Sequence, residues 1–139
     1  LEELRAIARG CITRHIYHHY KGFSENQLSL FQDEPAKKVK TLLYLYRILL
    51  TGIHVLRSGE IEANLPNLLR LYPQAGVQEL MAAKVRELST LAGEEAVLYL
   101  KTIDRLREAL ERAFTESRLD EEPRQASELD DFLVRLRLR

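Results

Sequence analysis

KKVKTLLYLYRILLTGIHVLRSG, Lys37 to Gly59, is the stretch on which the reading of the chain turns. Taken as one central helix over residues 37–58, it is about 34 Å long at about 1.5 Å per residue. At about 100° per residue, Leu42, Leu45, Leu49, Ile53 and Leu56 fall on one face. Leu43, Tyr46, Ile48, Leu50 and Val55 widen that face beyond the stripe of an ordinary surface helix. A thin polar seam remains: Lys40, Tyr44, Arg47, Thr51, His54 and Ser58. Between Pro35 and Gly59 there are five basic side chains, Lys37, Lys38, Lys40, Arg47 and Arg57, and no Asp or Glu. A solvent face usually mixes both signs of charge. A cationic, acid-free seam on a mostly buried helix points instead to a cleft that receives an anion.

Outward from this stretch the charge changes sign. Lys and Arg together equal Asp and Glu, at 21 each, yet residues 60–139 carry sixteen acidic and twelve basic side chains. A neutral total argues against coating of nucleic acid by bulk charge and leaves room for a local phosphate site. The 139 residues suffice for one domain with its own core. Cys11 is the single cysteine, so no internal disulfide forms, and a reducing, cytoplasmic location is expected. The longest apolar run is interrupted by Arg47 and His54, and no membrane span or secretory signal is expected.

Before the central stretch, residues 1–20 carry a helical pattern of Leu1, Leu4, Ile7, Ala8, Cys11 and Ile12, which Lys21-Gly22 is expected to close. Residues 23–34 then read as a polar loop, and Pro35 opens the central helix. After Gly59, residues 60–65 connect to a short helical turn from Pro66 to Leu71. Val77, Leu80, Met81, Val85, Leu88 and Leu91 define a third long helix that Gly93 ends. Glu94 to about Phe114 is the fourth, with Tyr99, Ile103, Leu106 and Leu110 as its stripe and Arg107–Glu111 and Glu108–Arg112 paired on its wet side. A polar linker, 115–126, leads to a last helix at Ser127, where Asp130 completes a box-like cap. Nothing reads as a strand. The expected fold is an all-α bundle of about five helices around the central one.

Several side chains are candidates for chemistry. His15 and His19 at i,i+4, with Cys11, could share a metal ion, although a tetrahedral site needs a further ligand from elsewhere. Alternatively these rings close a helix C-terminus, where a cationic imidazole is favoured. As a third possibility, His18, His19 and Tyr20 line the same cleft as the central seam. Lys84 lies near the middle of its helix's apolar face, so it either snorkels or points a charge into the cleft. No nucleophile elbow and no glycine-rich phosphate loop is present, and Asp130-Asp131 reads as a solvated pair.

YLYRILLTGIHVLRSGEI at Tyr44 to Ile61, preceded by HHYKGF at His18 to Phe23, resembles the C-terminal part of predicted nucleotidyltransferases of the DNA polymerase beta superfamily. VQELMAAKVREL from Val77 and SRLDEEPRQASELDDFLVRLR at Ser117 to Arg137 are similar to the same group, which includes the RNA-ligase-associated polymerases of RNA repair. The resemblance implies a chain, 1–139, that is one helical domain at the C-terminal end of a longer enzyme. That family's signature is a Gly-Ser turn followed by an Asp-x-Asp pair that holds two metal ions, and neither occurs here. Mg²⁺-dependent phosphoryl transfer would then belong to an upstream catalytic domain. Lys40, Tyr44, Arg47, His54 and Lys84 would contact the phosphates or base of a nucleoside triphosphate or of an RNA end. Two other readings stay open. One is a metal-independent ribonuclease of the HEPN type using Arg47 and His54, against which Ile48 stands where a polar residue is usual. The other is a helical interaction module without a ligand.

Overall fold

The computed structural model describes residues 12–85, 90–121 and 134–135. Its elements in chain order are α1 (Ile16–Asp33), β1 (Lys37–Lys38), α2 (Val39–Ser58), α3 (Leu65–Leu71), α4 (Val77–Val85), β2 (Thr90–Leu91) and α5 (Gly93–Glu116). Together they form an all-α bundle with one very short two-stranded ladder.

From Val39 on the central stretch folds as its periodicity requires; Lys37 and Lys38, expected inside the helix, form β1 instead, paired with β2. Fourteen of the twenty residues of α2 are buried, and α1, α3, α4 and α5 all pack on it. Leu42, Leu45, Leu49 and Leu50 are fully enclosed, each contributing about 2 kcal/mol of apolar burial. By length and composition alone this helix could cross a membrane, but 78% of its apolar window is buried inside the bundle. Its hydropathy is that of a core helix. Gly59 ends it in the left-handed conformation, φ 75°, with its N–H on the Val55 carbonyl. At the other end the Glu34 carboxylate accepts from the Lys38 N–H and the Thr41 hydroxyl, placing negative charge at a helix N-terminus.

The region before α2 departs from expectation. The expected break at Lys21-Gly22 is absent: α1 runs unbroken through Gly22 and absorbs residues 23–33, expected as a loop. The cause is a second apolar stripe, Tyr17, Leu28 and Phe31 with the small Ser24, which packs against the core. Its burial outweighs the cost of about 1 kcal/mol for one helical glycine. Lys37 then closes α1, its ammonium donating to the carbonyls of Phe31, Gln32 and Glu34. Residues 1–11, including the expected first helical turns and Cys11, lie outside the described residues.

Where the third long helix was expected to run on to Gly93, α4 is described over Val77–Val85, and Thr90–Leu91 is a strand instead of its last turn. Thr90 and Leu91 pair antiparallel with Lys38 and Lys37. Leu88 and Leu91 keep helical spacing on paper, so this strand has no local signature; its partner lies about fifty residues away. In α5, Ala96, Ile103, Leu106, Leu110 and Ala113 form the buried stripe, and Glu94 and Glu95 sit in the first turn. On its wet side Arg107 pairs with Asp104, at 3.5 Å, and not with Glu111. The Ser117 hydroxyl donates to the Leu56 carbonyl at 2.9 Å, tying the end of α5 to the end of α2. The expected last helix from Ser127 lies outside the described residues, apart from 134–135.

Candidate functional site

The exposed strip of α2 begins with Lys40, Tyr44 and Arg47, at steps of four and three that keep one face of a helix. Opposite them, the chain after Gly59 turns back. Asn64 caps α3, accepting from the Asn67 N–H at 3.0 Å, with Pro66 in the first turn. Arg47 fastens the two walls, its Nε donating to the Ala63 carbonyl at 2.8 Å. Met81 and Lys84 of α4 complete the surround.

The result is a cleft of about 680 Å³ lined by Lys40, Leu43, Tyr44, Arg47, Ala63, Asn64, Leu65, Met81 and Lys84. That volume is in the range of small-molecule sites. Lys40, Tyr44, Arg47 and Lys84 are thus brought together as the seam implied. Lys84 is exposed at the cleft rather than centred on a buried face. Leu43, Leu65 and Met81 supply apolar wall; sequence reasoning missed them as site residues, because apolar side chains read first as core.

Three cations and no carboxylate line the cleft among the described residues. Among the described residues, no carboxylate is within ion-pair distance of Lys40, Arg47 or Lys84. The guanidinium of Arg47 lies 5.9 Å from the centre of the Tyr44 ring. Unneutralised positive charge between low-dielectric walls concentrates anions. The amines, guanidinium, phenol and single amide here do not suit Mg²⁺, which wants oxygen ligands, carboxylates above all.

The other expected site residues are elsewhere. His54 is absent from the cleft lining; its Nδ1 is 2.9 Å from the Tyr72 hydroxyl, and Arg57 stands over the Tyr72 ring at 5.6 Å. His18, His19 and Tyr20 do not reach the cleft either. They belong to the first turns of α1, because that helix starts near them instead of ending there. His18 packs edge-on to Phe114 and stacks with His15 at 5.8 Å, and His19 leans on Phe23. Tyr20 is wedged beside Gly52, where burial raises its phenol above its usual pKa. Among the described residues no three His, Cys, Asp or Glu side chains are grouped to hold a metal ion.

Residues 1–135 match the family model described as RlaP, the RNA repair pathway DNA polymerase beta family. The chain belongs to that family. An uncharacterized protein of Methanocaldococcus jannaschii, MJ0002, is 35% identical over 88 residues, covering 62% of this chain. The chain's match spans 36% of that relative's length. No solved structure matches the chain. Tyr44 and Arg47 of the cleft lie in the Tyr44–Ile61 stretch, within the matched residues. The Gly-Ser and Asp-x-Asp signature of the superfamily does not occur among the 139 residues.

Proposed function

We propose that this chain is the substrate-binding helical part of a longer nucleotidyltransferase, the C-terminal neighbour of a catalytic domain in the same protein. Lys40, Tyr44, Arg47 and Lys84 contact the phosphates of a nucleotide or an RNA end. The observation that carries this reading is the gathering of three cations, without a carboxylate, around one cleft. Mg²⁺ and the carboxylates that hold it belong to the upstream domain, since the cleft offers no suitable ligands. Membership of an RNA repair family supports RNA as a substrate. The single cysteine suits a cytoplasmic setting.

The test is a titration of a nucleoside triphosphate and of a short RNA against the wild type and Arg47→Ala at several salt concentrations. Loss of one phosphate contact reduces the slope of log affinity against log salt by about 0.7 for a single strand, as one fewer counterion is released. Equal affinities and equal slopes would show that the seam is only a wet helix face.

A further inference from the structure

Resting on that reading, we propose that the cleft takes the end of an unpaired RNA strand, with a base against Tyr44 and backbone phosphates on Lys40, Arg47 and Lys84, rather than a nucleoside triphosphate. The first observation is the aromatic ring. Tyr44 is 50% exposed although it sits on the most buried helix of the molecule. It adjoins Leu43, Leu65 and Met81, so the cleft combines an open aromatic face with apolar wall. Phosphates make no use of such a surface. An unpaired base does, because its face is free to stack, whereas a duplex hides the faces of its bases.

The second observation is spacing. Lys40 and Arg47 are seven residues apart, or about 10.5 Å along the helix axis. Successive charges of a stacked strand advance by about 3.4 Å along the helix axis and lie farther apart than that in space. Cations set this far apart reach phosphates of more than one nucleotide. The three phosphates of a nucleoside triphosphate are joined through shared oxygens and are more compact than that. Arg47 is also held in place by the Ala63 carbonyl and stands beside the Tyr44 ring, so a phosphate contact and a stacking contact are fixed next to each other. That pairing fits the phosphate and base of neighbouring positions on one strand.

The third observation is chemical. A triphosphate is ordinarily handled with Mg²⁺ bridging its oxygens. Among the described residues the cleft has no carboxylate of its own to meet that ion, so a triphosphate held here would depend on carboxylates brought by the upstream domain, whereas a strand would not. The singly charged phosphates of a strand need only lysine and arginine.

The experiment measures binding of a fluorescent eight-nucleotide RNA to the 139-residue chain by anisotropy, with unlabelled single strand, blunt duplex and ATP with Mg²⁺ as competitors. The unpaired strand is expected to compete at least tenfold better than duplex or ATP. Tyr44→Ala should weaken strand binding by roughly 5- to 100-fold, the range for loss of one base–aromatic stack. Tyr44→Phe keeps the ring and should stay within about twofold of wild type. Because Tyr44 is half exposed, both variants should fold, and their circular dichroism should match the wild type. ATP competing better than the strand, with no effect of Tyr44→Ala, would overturn the strand assignment and leave the phosphate-binding reading standing. Binding of neither RNA nor ATP would remove both.

Discussion

Two hollows of the same bundle differ in kind. The groove between α1 and α5, about 480 Å³, is lined by Tyr17, Lys21, Ser24, Glu25, Asp104, Arg107, Glu108, Leu110 and Glu111. Its four carboxylates outnumber its two cations, and Arg107 is engaged by Asp104. Among the described residues the cleft beside α2 is lined by three cations and no carboxylate. A net charge of zero thus conceals segregation: one hollow carries an excess of negative charge, the other is positive. Charge that is not paired locally is available to an incoming anion. The same contrast holds for packing. At Gly52 the central helix is closed between Tyr20 of α1 and Leu110 of α5, whereas the cleft lies at the edge where it meets α3 and α4.

The largest expected effect comes from the closed side. A Cβ added at Gly52 would lie 2.9 Å from the Leu110 Cδ1 and from the Cβ and Cγ of Tyr20. Three helices meet at that glycine. Gly52→Val should therefore lower unfolding stability by about 3 kcal/mol through overpacking, read as a lower midpoint in a urea titration. A variant as stable as wild type would mean that the α1–α2–α5 crossing is looser than described.

A smaller effect should appear at high pH. Tyr46 is fully enclosed, and burial pushes its phenol up from 10.0 to about 12, helped by nearby Tyr99. Thr102 counteracts this in part, yet the buried hydroxyl has no well-formed hydrogen bond among the described residues. A raised native pKa means that the unfolded chain loses this proton first. The stabilising contribution is complete below about pH 10 and is lost as pH climbs toward 12, at up to about 1.4 kcal/mol per pH unit. Tyr46→Phe should flatten that part of the stability–pH curve. An unchanged curve would place the phenol in contact with water and weaken the contrast between the two sides of α2.

The smallest expected change separates the hollows by charge. Lys84→Glu should weaken binding of a single-stranded RNA about tenfold, since it removes one cation and adds a like charge beside the phosphates. Lys21→Glu, in the mixed groove, should alter it by less than about twofold. Equal losses would indicate that the whole surface field attracts the strand and that the cleft has no special part.

Much of the site could be read without coordinates because it is local. Lys40, Tyr44 and Arg47 lie on one helix, and a helix places i, i+4 and i+7 on one face whatever surrounds it. Lys84 could be included only by supposing that its helix packs beside the seam. His18, His19 and Tyr20 show the limit. Their place depends on where their helix runs, and that helix continues past Gly22. A glycine signals a stop only when nothing beyond it gains by staying helical, and here Leu28 and Phe31 do.

By itself, the sequence determined the all-α class, the central helix, the acid-free seam and the family. Each rests on local periodicity, local charge or residue identity, and none needs a distant partner. The tertiary structure decided the rest. It ran α1 through Gly22 and made Thr90–Leu91 a strand paired with Lys37–Lys38. It enlisted Lys37 to close a helix, turned His54 toward Tyr72, and brought Ala63, Leu65 and Met81 against the seam to make a cleft. These outcomes depend on which surfaces exclude water from each other across long stretches of chain, and burial between distant segments leaves no mark in local spacing.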